Sequence, residues 1–239
     1  MPHNGQLSFQ QLLDEDYQRL NQEMRNKDAL DVVRWACQSF NDELVYACSF
    51  GAEGIVLIDI LSKVCPDAHV VFLDTNAHFT ETYDVVKKVR EKYSTLRIEA
   101  IMPALTLEQQ AEQYGDALWK TNPAACCSIR KITPLASVLS GKKAWLSGLR
   151  REQSPTRAQV QFINKDHKFS SIKICPLIHW RWEDVWNYIM LHQLPYNVLH
   201  DKGYPSIGCE HCTAPVTDRG DFRTGRWAGF EKTECGLHQ

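Results

Sequence analysis

The sequence predicts an α/β protein built on a mostly parallel, twisted sheet with helices on both faces. Short apolar runs of strand length occupy Leu44–Cys48 and His69–Leu73. Each run is followed by a polar or glycine-containing turn and then by a longer helical segment. Two further runs, residues 96–101 and 143–146, continue the alternation of strands and helices. This alternation is typical of sheets in which neighbouring strands run parallel.

Five segments have the spacing of apolar residues that amphipathic helices need, and Ser8 is the expected cap of the first. These segments span residues 8–24, 28–40, 55–64, 80–93 and 182–192. The tryptophans within residues 180–186 are interpreted as core packing. Prolines and glycines after Leu194 indicate loops and a mobile C-terminal tail rather than a further regular domain. We therefore expect a helical segment over residues 1–40, an α/β unit over 41–218 and a tail over 219–239.

The expected binding crevice lies at the ends of the strands. Ser49, Asp74 and Gly148 each follow a strand, and ligands of parallel sheets bind beyond the carboxyl ends of the strands. The turn 49–54 also offers backbone N–H groups and a helix N-terminus to an anion. It lacks the G-K-[ST] ending of a Walker A loop, so the turn alone is a weak signal.

The composition excludes several classes of protein. The chain has 239 residues, of which 44% are hydrophobic and 23% charged, as in a globular protein with a real core. A net charge of −2 argues against a broadly basic nucleic-acid binder. No apolar run is long enough to predict a membrane span, and residues 1–16 do not resemble a secretory signal. Nine cysteines in a chain of this size favour metal-binding or catalytic thiols in a reducing cytoplasm over disulfides.

Four cysteines form a candidate metal set. Cys126 and Cys127 are adjacent, and Cys209 and Cys212 form a C-x-x-C that begins 82 positions (209 − 127) after the first pair. Four thiolates are the ligands of a structural zinc ion or of an iron–sulfur cluster. Adjacent side chains point in different directions, which suits the separate iron corners of a cluster better than one small ion. The spacing therefore favours iron–sulfur over zinc, while both stay open at this point.

Positive side chains lie near these cysteines in the sequence. Arg130 and Lys131 follow the first pair directly, where they would stabilise a negatively charged cluster and couple it to an anionic substrate. Six arginines occupy two loops with little acidic sequence between them, and arginine binds sulfate and phosphate oxygens with two N–H groups. They are Arg150, Arg151, Arg157, Arg219, Arg223 and Arg226.

Cys235 is a candidate nucleophile near the C-terminus. A thiol must be ionised and accessible to attack, and the glycine that follows makes a mobile segment plausible. Lys232 and His238 would favour the thiolate, whereas the adjacent Glu234 would oppose it. A lone terminal cysteine is more often incidental than catalytic, so the interpretation depends on the other motifs.

These residues together resemble the assimilatory adenylyl-sulfate reductases, the cluster-bearing branch of the sulfonucleotide reductases, from about Leu44 to the C-terminus. The matching motifs are 49–53 (SFGAE), 73–75 (LDT), 126–131 (CCSIRK), 148–157 (GLRREQSPTR), 203–212 (GYPSIGCEHC), 223–227 (RTGRW) and 234–238 (ECGLH). A Cys-Cys pair with a distant C-x-x-C and a terminal E-C-G-L-H is highly specific. The 3′-phosphoadenylyl-sulfate reductases share the fold and the tail but usually lack the four cluster cysteines.

The resemblance implies a two-step reaction. Cys235 would attack the sulfur of adenosine 5′-phosphosulfate, which releases AMP and leaves an S-sulfocysteine on the enzyme. Reduced thioredoxin, or glutaredoxin, would then release sulfite. Cys126, Cys127, Cys209 and Cys212 would hold one [4Fe–4S] cluster with an electrostatic and structural role. The tail would close over the substrate and open for the electron donor.

The resemblance also implies a set of substrate-binding residues. Backbone contacts near Ser49, Gly51, Leu73 and Gly148 would hold the adenosine. Cationic and aromatic side chains would hold the phosphosulfate. These are Lys131, Arg157, Arg223, Arg226 and Trp227. A homo-oligomer is possible, and neither a nucleic acid nor a membrane is an expected partner.

The sheet and its first turn are also similar to those of the ATP pyrophosphatases, an adenine nucleotide alpha hydrolase-like fold whose turn reads S-G-G-x-D-S. Phe50 and Glu53 stand where that turn has glycine and aspartate, which indicates a pocket no longer built to adenylylate with ATP. Three alternatives remain. They are a reductase of the 3′-phosphorylated or of both nucleotides, an ATP-dependent tRNA-thiolating enzyme, and a zinc-stabilised binding module without catalysis.

Overall fold

The computed structural model of the chain describes residues 7–216 and 222–238. In this part of the chain six strands form one sheet in the order β3-β2-β1-β4-β6-β5. All neighbouring strands are parallel except β5 and β6, so the prediction of a mostly parallel sheet is confirmed. The strands are β1 (Leu44–Cys48), β2 (His69–Leu73), β3 (Arg97–Ile101), β4 (Ala144–Leu146), β5 (Ile163–Asp166) and β6 (Ser171–Ile174).

Each of the five expected helices is present, and four shorter ones are added between β3 and β4. The helices are α1 (Asp14–Met24), α2 (Ala29–Phe40), α3 (Ala52–Val64), α4 (Thr80–Lys92), α5 (Leu107–Tyr114), α6 (Leu118–Thr121), α7 (Pro123–Cys127), α8 (Thr133–Leu139) and α9 (Trp182–Leu191). The expected start near Ser8 is wrong. The Ser8 hydroxyl bonds to the Gln11 side chain and its carbonyl accepts from Gln11 and Leu12 in a separate turn. No helix in the described ranges is long and apolar enough to cross a membrane.

Alternation along β1 and β2 divides the core between the two faces of the sheet. Tyr46 and Phe72 face the larger cluster, to which α2, α3 and α9 contribute. Val45 and Val71 face a smaller cluster that also contains Trp145 and two leucines of α8. Burying each such side chain contributes roughly 1.5–3 kcal/mol. The central strands are therefore fixed from both sides, and their carboxyl ends form a rigid edge.

The chain after Leu194 has the irregular structure that its prolines and glycines predict. In the described residues it forms short 3₁₀ turns over Val198–Lys202 and Glu210–Cys212 and two isolated β-bridges, His78 with Cys209 and Thr213 with Arg226. Leu237, near the C-terminus, packs on the smaller core cluster. The last residues therefore return to the sheet.

Candidate functional site

A cavity of about 180 Å³ opens at the carboxyl ends of β1, β2 and β4. It is the crevice that the strand–turn–helix pattern predicts, and Ser49 and Gly148 line it. Asp74 does not line it, and its carboxylate accepts instead from the Asn76 N–H and the Tyr83 hydroxyl. The cavity lining includes every residue that the family resemblance implies for substrate binding, together with the candidate nucleophile. These are Ser49, Gly51, Leu73, Lys131, Gly148, Arg157, Arg223, Arg226, Trp227 and Cys235.

The turn after β1 presents backbone groups to this cavity. Phe50 adopts a left-handed conformation with φ 56°. It is held there because its N–H donates to the Cys48 sulfur over 3.3 Å and its ring packs edge-on against Phe72. Gly51 then begins α3 without a side-chain cap, so the first-turn N–H groups of that helix lack a capping acceptor. The turn therefore leaves backbone N–H donors at the edge of the cavity.

The loop after β4 is fixed to this turn by an ion pair. Arg150 donates from Nε to Glu53 over 2.8 Å and from Nη1 to Glu152 over 2.7 Å. Its side chain is only 1% exposed. Little acidic sequence lies between the loop arginines, but Glu53 from a distant part of the sequence pairs with Arg150 in the fold. Arg150 is a structural cation rather than a free anion ligand.

Arg157 and Arg223 are also paired with a carboxylate, and it belongs to the tail. Arg157 binds Glu234 with two hydrogen bonds of 2.7 Å, from Nε and Nη2. Arg223 reaches the same carboxylate over 3.2 Å. In the described part of the chain no carboxylate pairs with Arg226, whose Nε donates to the Cys212 carbonyl. Arg219 lies outside the described residues.

The tail is docked over the cavity. Cys235 lines it, and the imidazole of His238 stacks on Trp145 with ring centroids 5.9 Å apart. Burial, together with nearby cations such as Arg157, holds the pKa of His238 well below its usual value. His238 is therefore neutral in this position and does not supply the positive charge expected beside Cys235. Lys168 donates to the carbonyl of Gly236 and fixes the backbone between them.

A second, smaller cavity of about 20 Å³ is lined by the four cysteines of the candidate metal set. Lys131, Arg226 and Trp227 line both cavities. The cysteine cavity and the large cavity are therefore neighbours, separated by a thin layer of cationic and aromatic side chains.

A widened helical turn positions the first cysteine pair. Pro123 opens α7, which ends at Cys127, and α8 begins at Thr133. Between them the Thr133 N–H bonds to the Ser128 carbonyl five residues earlier, as in a π-helix. Pro134 lacks an N–H and its ring would clash with the carbonyl four residues before it, which explains the widening. The turn contains Arg130 and Lys131 and directs both towards the cysteines.

The second cysteine pair is attached to the loop after β2. Glu210 donates its N–H to the Ala77 carbonyl over 2.8 Å. The Thr75 hydroxyl lies 3.3 Å from the Cys209 sulfur. Two segments that are distant in the sequence are thus joined beside one cavity.

The pKa values of the two thiols in the C-x-x-C motif are shifted in opposite directions. Burial raises the pKa of Cys212 to about 11. Burial acts in the same direction on Cys209, but the Lys131 ammonium and the Thr75 hydroxyl outweigh it and lower the pKa of that thiol. Lys131 therefore stabilises negative charge on the cysteine side as well as facing the large cavity.

The cysteine cavity contains buried donors without acceptors. Among the described residues, no hydrogen-bond partner reaches Nε1 of Trp119, Nε1 of Trp227 or Nη2 of Arg130. No group of three or more Cys, His, Asp or Glu side chains in those ranges is placed to hold a single metal ion. The four thiols are thus arranged around a space with unused N–H donors, and buried donors of this kind normally have acceptors.

His200 lines the large cavity and was missed in the sequence. Its ring is oriented by the Tyr204 carbonyl, which lies 2.7 Å from Nδ1 and so receives the proton of that nitrogen. Burial lowers the pKa of His200, so Nε2 is an unprotonated acceptor. That atom is buried and meets no donor among the described residues. A lone histidine in a loop gives no sequence signal, because the feature arises only from the cavity around it.

Comparison with known proteins agrees with the site. The sequence-family model of the phosphoadenosine phosphosulfate reductase domain matches residues 43–215 of this chain. A curated protein from Geobacillus kaustophilus, named adenosine 5′-phosphosulfate reductase, is 66% identical over 212 residues, covering 89% of this chain and 90% of the relative. A protein of the same name from Shouchella clausii is 57% identical and covers 96% of this chain and 95% of the relative.

Solved structures share the architecture. The phosphoadenylyl-sulfate reductase of Candida auris, crystallised as a phosphate complex, superposes with a TM-score of 0.74 and is 33% identical, covering 86% of this chain and 98% of that one. An FMN adenylyltransferase from Candida glabrata has a TM-score of 0.57 at 17% identity, which shows a common fold alone. The chain therefore belongs to the family of adenylyl-sulfate and phosphoadenylyl-sulfate reductases, as its cysteine and tail motifs predict.

Proposed function

We propose that this chain reduces adenosine 5′-phosphosulfate to sulfite and AMP in sulfate assimilation. One observation is central to the proposal. Cys235, in the docked tail, lines the same cavity as the strand-end turns and the cationic side chains. The relatives at 57–66% identity are named adenosine 5′-phosphosulfate reductases, which supports the choice of substrate.

The reaction has two displacements at sulfur. The Cys235 thiolate attacks the sulfur of the substrate, a new S–S bond forms, and AMP departs with the electron pair of the S–O bond. A thiol of reduced thioredoxin, or of a similar dithiol, then attacks the Cys235 sulfur and expels sulfite. The second thiol of the donor resolves the mixed disulfide, so the donor supplies the two electrons.

The side chains around the cavity have separate roles in this scheme. Lys131 and Arg226 face the anionic phosphosulfate and stabilise the charge that develops on departing AMP. Backbone groups near Ser49, Leu73 and Gly148 hold the adenosine. Nε2 of His200 accepts a hydrogen bond from an N–H or O–H of that nucleoside, which satisfies its buried lone pair.

The cysteine cavity fits a [4Fe–4S] cluster better than a single zinc ion. Cys126, Cys127, Cys209 and Cys212 would be its ligands. The fit rests on the unused N–H donors around the cavity, because cluster sulfurs accept such hydrogen bonds. When bound, the cluster supplies negative charge and structural order. Lys131 lies between the two cavities and so links that charge to the substrate side.

A reductase of the 3′-phosphorylated nucleotide is the second candidate, since the Candida auris structure carries that name. A tRNA-thiolating activity has less support, because it gives no role to a cysteine docked in the nucleotide cavity.

A cytoplasmic location is part of the proposal. None of the nine cysteines is paired in a disulfide, which suits a reducing compartment.

Sulfite release by anaerobically purified protein with reduced thioredoxin tests the proposal. Adenylyl sulfate and its 3′-phosphorylated form are compared at equal concentration, with the donor omitted as a control. Sulfite from the first and little from the second supports the proposal, and the reverse preference selects the second candidate. No sulfite from either, with the iron content intact, would exclude both reductase activities.

A further inference from the structure

Three side chains bind the carboxylate of Glu234 beside the large cavity. Arg157 binds both of its oxygens over 2.7 Å. Arg223 reaches Oε2 over 3.2 Å and the Thr156 hydroxyl reaches Oε1 over 3.3 Å. Glu234 is only 4% exposed and is followed directly by Cys235. The carboxylate thus fixes the residue before the proposed nucleophile.

The same two arginines line the cavity that takes the substrate in the proposed function. Arg157 has few donors left for another anion. Nε and Nη2 bind Glu234, and Nη1 donates to Gln153. A carboxylate and a phosphate or sulfate group each bind a guanidinium through two parallel, bidentate hydrogen bonds. The same pair of guanidinium N–H groups therefore binds only one of these anions at a time.

We propose that Glu234 positions Cys235 through its ion pairs with Arg157 and Arg223, and that the anionic groups of the sulfonucleotide compete with Glu234 for these two arginines. The inference rests on the proposed function and adds the intramolecular competitor. Binding of substrate exchanges one anion for the other without leaving a buried guanidinium unpaired. Exchange avoids the penalty of an uncompensated buried charge.

The rest of the tail retains its anchors during this exchange. Leu237 packs on the core beside Trp145, His238 stacks on that tryptophan, and Lys168 holds the Gly236 carbonyl. The segment on either side of Cys235 thus has two independent attachments, one ionic and one apolar. Release of the ionic one frees the thiol to move towards the substrate while the apolar one keeps it near the cavity.

Binding measurements separate competition from simple support of the fold. Dissociation constants for AMP and adenylyl sulfate are measured by calorimetry in a Cys235→Ser background, which prevents turnover. Glu234→Gln removes the competing charge, and Glu231→Gln is the matched control because Glu231 is an exposed tail residue. We expect Glu234→Gln to tighten binding of both nucleotides by roughly tenfold, while Glu231→Gln leaves it unchanged. Unchanged or weaker binding in Glu234→Gln would overturn the competition.

Kinetics with Cys235 intact test the same exchange during turnover. Glu234→Gln is expected to lower both KM and kcat, because neither the substrate nor the departing AMP then meets a competitor for the two arginines. Glu234→Asp keeps the charge and should restore much of kcat with a KM near that of the wild type. A fall in kcat with KM unchanged or raised would contradict the proposal, since a purely structural residue gives that pattern. If no variant binds either nucleotide, the proposed function fails and the competition with it.

Discussion

Arg130 donates a hydrogen bond from Nε to the backbone carbonyl of Thr75 over 2.7 Å, across 55 positions of sequence. Its Nη1 also donates to Leu105 and to Gln110, and the side chain is 2% exposed. Arg130 thereby joins the widened turn after Cys127 to the loop after β2. Both loops border the cysteine cavity, so one guanidinium sets the distance between its two halves.

Replacing this arginine by lysine keeps the charge but removes the planar fork. We expect Arg130→Lys to retain less than about half of the iron and acid-labile sulfide of the wild type, because the two cysteine pairs lose their common support. Iron and sulfide per chain in anaerobically purified protein give the measurement. Arg34→Lys, at an exposed ion pair of α2, is the control. Equal iron in all three proteins would contradict the role of Arg130.

Cys235→Ser separates the proposed nucleophile from the four proposed cluster ligands. We expect turnover to disappear, since serine is a far weaker nucleophile at neutral pH, while the brown colour and iron content remain. Visible absorbance and sulfite release are measured on the same preparation. Loss of colour in this variant would mean that Cys235 is a ligand and that one of the other four cysteines is not.

The sequence predicted the parts of the fold in which local pattern and burial agree. The apolar runs of β1 and β2 are strands because their neighbours in the sheet bury both faces. The strands Ile163–Asp166 and Ser171–Ile174 were not predicted, since their polar residues conceal the pattern. Lys173 is buried in β6 only because Asp166 of β5 pairs with it over 3.0 Å. Such an ion pair between two strands depends on the tertiary structure and cannot be predicted from the sequence of one strand.

In the candidate site, too, local motifs were predictive and contacts between distant segments were not. Motifs identified the residues that line the cavity, yet the ionic partners of the arginines could not be foreseen. Glu53 lies 97 positions from Arg150 in the sequence, and Glu234 lies 77 positions from Arg157. Their pairing depends on how the chain returns to the sheet. Charge counts along the sequence therefore overestimate how many cations are free.

Asp59 makes stability depend on pH. Its carboxylate is 6% exposed and accepts from Tyr93 over 2.9 Å and from Tyr188 over 2.7 Å, and it pairs with Lys63. Burial acts to raise its pKa, but Lys63 and the two hydroxyls outweigh it, so the folded pKa is below the usual 3.8. The stabilisation is therefore complete above the unfolded pKa and is lost as pH falls through the folded pKa.

Asp59→Asn should lower the free energy of unfolding by about 2 kcal/mol at pH 7, because two buried hydroxyls and an ammonium lose their ionic acceptor. The difference from the wild type should narrow as pH falls below 3.8, because Asp59 in the unfolded chain binds a proton before Asp59 in the folded chain does. Urea unfolding at pH 7 and pH 3 measures both values. Asp116→Asn, at an exposed position, is the control. A constant difference at the two pH values would contradict the assigned sign.

His200→Phe tests the buried acceptor in the nucleotide cavity. The phenyl ring can keep the contacts of His200 with Trp182 and Trp186 but offers no lone pair. We expect the dissociation constant for AMP to rise by about five- to tenfold, the effect of one lost hydrogen bond. His192→Phe is the control, because that ring packs at a tilt against Tyr188 and does not line the cavity. Unchanged AMP binding in His200→Phe would show that Nε2 does not contact the nucleoside.

Gly208 makes room for the guanidinium of Arg226, which packs where a Cβ on residue 208 would stand. Gly208→Ala should therefore move Arg226 from the cavity, and the arginine is long enough to shift without unfolding the loop. We expect Gly208→Ala and Arg226→Ala each to weaken adenylyl sulfate binding by about tenfold. The double variant should be no weaker than Arg226→Ala alone, because the two changes remove the same interaction. Additive losses, measured by calorimetry in the Cys235→Ser background with iron content unchanged, would show that Gly208 acts independently of Arg226.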